Sequence, residues 1–137
     1  MRVQIRKVDS DTVREINGRL LPDEDGETTW REDGEYWAAY VDGRMAGFAG
    51  YVPSRRWVDA VYLHAAGVED WANGHRIQAR LIRARCRAAK KAGFAFAHTY
   101  TFPNNPASSR NLIRCGFKPY WPTSPWAGRQ CYWVKTL

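Results

Sequence analysis

Residues 62–93 of this chain read YLHAAGVEDWANGHRIQARLIRARCRAAKKAG, and this stretch decides the fold. It starts as an apolar segment typical of a buried strand, passes through a loop containing Gly74, and continues with apolar residues at helical spacing up to Gly93. The first amide N–H groups of a helix lack partners within the helix, and the helix dipole adds about half a positive charge there. The stretch therefore predicts an anion site at the start of the helix and points to a cofactor that carries phosphate. Taken alone, a normally capped helix with a solvated basic face explains it equally well.

A second stretch, NPASSRNLIRCGF at residues 105–117, has the composition of a short helix. Asn105 is a preferred N-cap, Pro106 suits the first helical position, and Gly116 suits the left-handed residue that ends a helix. The preceding segment FAFAHTYTF, residues 94–102, predicts a strand. The two stretches together predict a strand, an anion loop, a long helix, a strand and a short helix in succession.

The remaining segments complete a mixed α/β sheet. Alternation at Val3 and Ile5 predicts an edge strand, and residues 9–21 predict a helix capped by Asp9 or Ser10. Asp42-Gly43 predicts a tight hairpin between strands at 35–41 and 44–52. We further expect a central strand at 58–68 with a bulge or close approach at Gly67, a helix from about 74 to 91, and a last strand at 131–137. Residues 22–35 predict a loop or a second short helix.

Length and composition bound the class of protein. With 137 residues, 45% hydrophobic and 26% charged, the chain predicts a single globular domain over residues 1–137. No segment approaches the roughly 18 apolar residues of a membrane span, and residues 1–11 lack the apolar block of a signal peptide, so we expect a cytoplasmic protein without membrane contact. Cys86, Cys115 and Cys131 lack ligand spacing, so neither a disulfide framework nor a metal site is expected.

The charge pattern favours anionic partners without choosing among them. Twenty-one basic and 14 acidic residues give a net charge of +7, which leaves a nucleotide cofactor, nucleic acid and an acidic substrate open. The acidic residues concentrate in residues 22–35. The basic residues include a stripe at helical spacing, formed by Arg76, Arg80, Arg83 and Arg87.

These segments resemble the GNAT superfamily of N-acetyltransferases over roughly residues 58–117. The segment AAGV at 65–68 resembles the end of the family's central strand, and NGHRIQARLI at 73–82 resembles its RGxGIGxxLL pyrophosphate loop. The family motif NxxSxxxYxxxGF is matched by Asn105, Ser108, Gly116 and Phe117. The chain departs from the family by having Arg76 and Gln78 in place of two loop glycines, and Leu112 in place of the frequent general-acid tyrosine.

The resemblance implies a single-domain, mostly antiparallel mixed sheet flanked by helices, with splayed central strands and acetyl-CoA between them. It implies that Gly67 and Val68 bond the pantetheine arm and that Asn105 contacts the arm from the other side. Ser108 is expected to line the thiol. The implied pyrophosphate loop comprises Asn73, Gly74, His75, Arg76, Ile77, Gln78 and Ala79.

Direct transfer of the acetyl group to an amine requires a neutral amine, a polarised carbonyl and a proton for the sulfur. His64 is our first candidate for the base, acting directly or through water, although a lone histidine on an apolar strand is more often a core residue. Tyr62 and Asp59 are weaker candidates for base or water relay. With Leu112 at the usual tyrosine position, Tyr100 or Tyr120 is a candidate for the acid.

The acceptor side carries no motif. The acidic residues 23–35 are expected to attract a cationic amine, and the loop at 120–126, together with several tryptophans, is expected to wall the site. The expected partners are acetyl-CoA and an amine on a small molecule or peptide, with the protein a monomer or homodimer and no metal required. Two other interpretations remain: a CoA-binding protein with weak or regulatory activity, and, ranked lowest because no nucleic-acid motif is present, a basic nucleic-acid-binding module.

Overall fold

A computed structural model describes residues 2–21 and 29–137 of the chain. They form a seven-stranded sheet in the order β1-β2-β3-β4-β5-β7-β6, in which β4 and β5 are parallel and the other neighbours are antiparallel. Within these residues no helix has both the length and the apolar character needed to span a membrane. The elements are β1 (Val3–Val8), α1 (Ser10–Leu20), β2 (Glu35–Val41), β3 (Arg44–Pro53), β4 (Ala60–Val68), α2 (Ile77–Lys91), β5 (Phe96–Thr101), α3 (Pro106–Arg114), β6 (Lys118–Tyr120) and β7 (Cys131–Thr136), with a short 3-10 turn at Asp70–Ala72.

The hairpin between β2 and β3 turns where the sequence predicts. Asp42 and Gly43 have φ angles of 48° and 85°, the positive values that a two-residue type I′ turn requires at both central positions. The Asp42 carboxylate accepts a hydrogen bond from the Arg2 amide at 2.8 Å, which ties the start of β1 to the turn. β1 pairs antiparallel with β2 and forms an edge of the sheet.

The two faces of the sheet are covered by different helices. On one face α2 buries Ile77 and Leu81 in the larger apolar cluster, and on the other α1 buries Val13 and Ile16 in a smaller cluster. Neighbouring residues of β3 divide between the two clusters, since Phe48 packs in the smaller cluster and Ala49 in the larger. The sheet is therefore buried on both faces in its centre, as the apolar central strand predicts.

Several element boundaries differ from the predictions, and the backbone angles explain two of them. The strand predicted at 58–68 begins at Ala60, because Asp59 has a φ of 58° and cannot lie in a strand. The helix predicted from about 74 begins at Ile77, because Gly74 and Arg76 have φ angles of 92° and 54°. The strand predicted at 94–102 is shorter and spans Phe96–Thr101.

The first helix is capped by the Asp9 carboxylate, one of the two predicted caps, which accepts a hydrogen bond from the Thr12 amide at 2.8 Å. The third helix is capped by Asn105 as predicted, with the Ser108 amide donating to Oδ1 at 3.3 Å. Residues 22–28, where we predict a loop or short helix, lie outside the described part of the chain.

Candidate active site

The two central strands, β4 and β5, are paired at one end and separate toward the other. β4 and β5 pair at three positions, the last joining Tyr62 to His98. Just beyond, the Thr99 hydroxyl donates a hydrogen bond to the Leu63 carbonyl at 2.8 Å, and from there the strands diverge. A cavity of about 620 Å³ fills the gap. We call it the main cavity; its lining includes residues of β4, β5, α1, α2 and α3.

A β-bulge in β4 lies beside this gap. Against β3, Gly50 pairs with Ala65 and Val52 pairs with Tyr62, so β4 carries one more residue than β3 over this interval. A bulge changes the direction of the side chains that follow it, and bulges are frequent next to active sites. Here His64 lies on the face occupied by Tyr36, since a Cβ placed on Gly50 would meet both side chains within 3 Å.

The start of α2 leaves its amide groups free. Arg76 is the N-cap residue but forms no side-chain capping bond, and the first turn holds no acidic residue. The Arg80 amide bonds the Arg76 carbonyl at 3.1 Å, so the amides of Ile77, Gln78 and Ala79 come before the first intrahelical bond. By contrast, α1 and α3 are both capped by side chains. The second helix therefore presents unpartnered donors and a positive dipole end to an anion.

The predicted loop residues lie together at this entrance. Asn73, Gly74 and Arg76 are exposed, and His75 is half-buried. Arg76, which stands where the family has a glycine, adopts the left-handed conformation that glycine favours, with a φ of 54°. The Gln78 side chain lines the main cavity and accepts a hydrogen bond from the Asn111 amide group at 3.3 Å.

The backbone groups of β4 divide between β3 and the gap. The Glu69 amide bonds the Ala46 carbonyl on β3 at 2.7 Å, and successive residues of a strand direct their groups to opposite sides. The groups of Gly67 therefore face β3, whereas those of Ala66 and Val68 face the gap. The close approach predicted at Gly67 is confirmed, because a Cβ there would lie 2.9 Å from Phe48 and 3.1 Å from Leu20. The bulge falls earlier in the strand.

His64 lines the main cavity and is held by Tyr36. The Tyr36 hydroxyl lies 3.1 Å from Nε2 and also accepts a hydrogen bond from the Arg31 amide at 2.9 Å. The hydroxyl proton is then best donated to Nε2, which assigns the imidazole proton to Nδ1, a buried atom without a partner in the described residues. Burial, with a smaller effect from the Arg85 charge, lowers the pKa of His64 to about 4. His64 is therefore neutral at pH 7.

Three further candidates also line the main cavity, namely Tyr62, Tyr100 and Ser108, and Asn105 lies beside them. Burial raises the pKa of Tyr62 well above its ordinary value, so this phenol holds its proton at neutral pH. The rings of Tyr62 and Tyr100 are stacked with centroids 6.3 Å apart. Leu112 lines the same cavity with an apolar side chain. Tyr120 instead packs against Trp57 and Tyr132, outside the lining of the main cavity.

Sequence reasoning missed Arg85, which is 4% exposed and also lines the main cavity. Its Nη1 donates to the Gly50 carbonyl at 3.0 Å and its Nε to the Leu81 carbonyl at 3.2 Å, and among the described residues it forms no ion pair. Burial lowers its pKa to about 10, which still leaves it charged at pH 7. A signal was present, because position 85 follows Leu81 by one helical turn and so falls on the apolar face of α2.

The loop predicted to wall the acceptor site places an aromatic ring against two residues of the central strands. Trp126, from the predicted wall loop, packs edge-on against Tyr62 and His98 at centroid distances of 5.4 and 5.7 Å. Two of the described acidic residues of the predicted attractor are paired with basic residues, since Asp33 binds Arg31 at 2.8 Å and Glu35 binds Lys7. Residues 23–28 of the predicted acidic attractor lie outside the described residues. No carboxylate of the described chain lines the main cavity.

Comparisons with known proteins agree with this geometry. A scan against protein families matches residues 4–117 to the Acetyltransferase (GNAT) family. The search of curated proteins found no match.

Among solved structures, an IAA acetyltransferase from Bacillus cereus ATCC 14579 superposes with a TM-score of 0.83 at 15% identity, covering 99% of this chain and 100% of that one. A protein from Bacillus anthracis str. Ames in complex with acetyl coenzyme A gives 0.76 at 16% identity, covering 100% and 99%. A PaiA N-acetyltransferase from Thermoplasma acidophilum in complex with coenzyme A gives 0.74 at 14% identity, covering all of both chains.

The family match spans most of the chain, and the separated central strands, the bulge and the uncapped helix agree with it. This chain belongs to the GNAT family of acetyltransferases. It is an acyltransferase with the family's single α/β fold.

Proposed function

We propose that the chain transfers an acetyl group from acetyl-CoA to a primary amine of a small molecule or peptide, directly, within a ternary complex. The observation that carries the proposal is the cavity between β4 and β5, which runs to the uncapped start of α2 through Gln78. Solved structures of the same fold hold acetyl coenzyme A or coenzyme A. The residues present here fit the pyrophosphate and the pantetheine arm of such a molecule.

The pyrophosphate is assigned to the start of α2. The free amides of Ile77, Gln78 and Ala79 supply donors, and the exposed loop from Asn73 to Arg76 lets a ligand approach the backbone. The exposed side chains of Arg76 and Arg80 lie at the same end and add charge-assisted contacts.

The pantetheine arm is assigned to the gap between the strands. The backbone groups of Ala66 and Val68 face this gap and can pair with the amides of the arm. Gly67 contributes by its missing side chain, which lets Phe48 and Leu20 pack directly against β4. Asn105 and Ser108 line the opposite wall.

Acetyl-CoA supplies a thioester, and the transfer forms a carbon–nitrogen bond while the carbon–sulfur bond breaks. The amine loses a proton and the sulfur gains one. His64, neutral at pH 7, is proposed as the base and receives the amine proton at Nε2. The Tyr36 hydroxyl keeps its own proton and turns so that its oxygen accepts a hydrogen bond from the new Nε2–H. Tyr62 and Tyr100 present phenol hydroxyls on the cavity wall and are the proposed proton sources for the sulfur, and burial keeps Tyr62 protonated by raising its pKa.

Direct transfer is supported by the lack of a thiol nucleophile at the site. Of the three cysteines, Cys86 and Cys115 are buried in the apolar core, and none lines the described main cavity. An acyl-enzyme route through cysteine therefore has no residue to use in the described chain.

The test is calorimetric titration with CoA, followed by acetyl transfer to a panel of amines measured as free thiol. We expect saturable CoA binding and amine-dependent thiol release. Absence of CoA binding would overturn the proposal.

Leu112 favours one alternative, a CoA-binding member with weak or regulatory activity, because this side chain cannot protonate a leaving thiolate. The same titration separates the two. CoA binding with thiol release no faster than hydrolysis, across the whole panel, would support the alternative.

Replacing His64 tests the proposed base. His64→Ala is expected to lower kcat by about 100-fold, within the range typical of a lost general base, while leaving the acetyl-CoA Kd within about twofold. His64→Gln keeps a hydrogen bond to Tyr36 but cannot take the proton, so it should lose kcat similarly. Unchanged kcat in both variants would remove His64 from proton transfer.

A further inference from the structure

A second, smaller cavity opens on the acceptor side of the sheet. It has a volume of about 160 Å³ and shares Tyr62 with the main cavity. We call it the side pocket. The residues used in the argument below are Ser54, Arg55, Arg56, Tyr62, His98 and Trp126, all of which line it.

Aromatic rings form two of its walls. Tyr62 and His98 are stacked with centroids 5.5 Å apart, and Trp126 stands at about a right angle to both, with interplanar angles of 86°. Flat walls at right angles suit a planar group, because such a group can stack on one wall while its own edge faces the other wall.

The rim of the side pocket is cationic. The Arg56 guanidinium lies 4.7 Å from the Trp126 ring centroid, and Arg55 is exposed beside it. Neither arginine forms an ion pair with a described residue, whereas Arg31, which also lines the pocket, is neutralised by Asp33 at 2.8 Å. No described carboxylate lines the pocket.

His98, which lines the same pocket, carries a buried ring nitrogen that has no hydrogen-bond partner among the described residues. The Ser54 hydroxyl accepts hydrogen bonds from the Arg56 and Trp57 amides, both at 3.1 Å, and lies 2.7 Å from Nε2 of His98. With both lone pairs engaged, Ser54 donates its proton to Nε2, so the imidazole proton resides on Nδ1. Nδ1 is buried and has no partner in the described residues, on a side chain that is 1% exposed. A buried donor without an acceptor costs free energy of folding, and an acceptor atom supplied by a ligand would remove that cost.

We propose that the side pocket binds a carboxylate carried on a planar part of the acceptor, so that the enzyme selects amines that also bear an anionic group. This inference rests on the proposed function, because it places the acceptor amine toward the main cavity at Tyr62. Arg55 and Arg56 recognise the carboxylate, and the rings of Tyr62, His98 and Trp126 hold the planar group. The expectation that residues 23–35 attract the cationic amine stays a prediction, because residues 23–28 lie outside the described part of the chain.

The experiment uses a pair of acceptors, 4-(aminomethyl)benzoate and 4-(aminomethyl)benzamide, which share the amine and the ring and differ in charge. Binding of each is followed by NMR, from the tryptophan indole N–H signals of protein saturated with CoA. Transfer to each is measured with acetyl-CoA. The variants are the double substitution Arg55→Gln with Arg56→Gln and, as a control, Arg87→Gln, an exposed arginine late in α2.

We expect the benzoate to bind and react about tenfold better than the benzamide, the ratio expected for a charge-assisted hydrogen bond at a solvent-accessible rim. The double variant should lose this preference while its CoA affinity stays unchanged, and Arg87→Gln should keep it. Equal binding of the two acceptors by the wild-type protein, or a preference that survives the double variant, would overturn the inference while leaving the acetyltransferase proposal intact. If CoA failed to bind but the benzoate preference followed the two arginines, the proposed function would fall and the pocket would stand as a carboxylate site.

Discussion

Arg85 and the two buried histidines show how single side chains set the electrostatics of the site. Arg85 holds a positive charge in the interior on two backbone carbonyls, near the bulge of β4. His64 and His98 each accept a hydrogen bond at Nε2 from a hydroxyl and remain neutral. All three line one of the cavities. The charge of Arg85 and the neutrality of His64 are linked, because the cation helps to lower the pKa of the imidazole.

Replacing Arg85 with methionine is expected to destabilise the protein by about 1–3 kcal/mol, because the buried Gly50 carbonyl loses its donor. Part of this cost is offset, because the substitution also removes the buried and unpaired charge of Arg85. The measurement is urea unfolding. Arg83→Met, at an exposed position of the same helix, is the matched control and should change stability by less than about 0.5 kcal/mol. Equal effects of the two substitutions would contradict the assigned role of Arg85.

Acid should destabilise the fold through the histidines. Burial lowers the pKa of both His64 and His98 from 6.5 to about 4. As the pH falls, these histidines become protonated near pH 6.5 in the unfolded chain but only near pH 4 in the folded chain. The stability that they contribute is therefore complete above pH 6.5 and is lost as the pH falls toward 4. We expect a loss of about 1–2 kcal/mol per histidine between pH 7.5 and 5, measured by urea unfolding at both values.

The control for this prediction is His98→Gln, which removes one of the two titrating groups. The variant should lose about half as much stability as the wild-type protein over the same pH interval. A pH dependence identical in both proteins would show that His98 is not responsible.

The second helix differs from the other two in how it begins. α1 and α3 start at side-chain caps, whereas α2 starts from a left-handed arginine with three free amides and no acid in its first turn. A helix start without a cap loses about 1 kcal/mol relative to a capped one. In the proposed function, this cost arises because the amides stay free to bind the diphosphate of CoA.

Placing an acid in this first turn should separate helix stability from ligand binding. Gln78→Glu is expected to stabilise the free protein by about 0.3–1 kcal/mol through the helix dipole, because the new carboxylate still accepts the hydrogen bond that Asn111 donates. The same change should weaken CoA binding about tenfold at low salt, through repulsion of the diphosphate. Calorimetry and thermal unfolding measure the two effects. Thr136→Glu, at the exposed end of β7, adds the same charge and should leave CoA affinity unchanged. An equal effect of both variants would argue against a diphosphate at α2.

The fold as a unit places a cationic surface around an open gap. The net charge is +7, and the described cavity walls carry arginines but no carboxylate. Long-range attraction should therefore raise the rate at which anionic ligands arrive and should weaken with salt. The gap itself exists because β4 and β5 part after Tyr62 and His98.

Ligand binding across the gap should stabilise the whole domain. CoA at 100 times its Kd is expected to add about 2.7 kcal/mol to the free energy of unfolding, which corresponds to a rise in Tm of roughly 10 °C for a chain of this size. Differential scanning fluorimetry measures this rise in Tm. At the same CoA concentration, the rise should be smaller at high salt. A Tm independent of CoA would contradict binding to the folded state.

The sequence by itself determined the order of elements, the hairpin at Asp42-Gly43 and the N-cap at Asn105, and it narrowed the first N-cap to Asp9 or Ser10. Each of these depends on local backbone preferences, which neighbouring residues report directly. The motif at Asn105, Ser108, Gly116 and Phe117 likewise indicated the family. Leu112 was correctly read as an apolar side chain at the site.

Only the tertiary structure decided which groups share a cavity and in what state. It brought Tyr36 of β2 onto His64, seated Arg85 on the Gly50 carbonyl, and assembled Ser54, His98 and Trp126 from distant segments into the side pocket. Burial and hydrogen bonds across the sheet, which local sequence does not encode, fixed the protonation of both histidines. The charge of the side pocket was likewise not predictable from the sequence, because it depends on which side chains face the pocket and which of them are already paired.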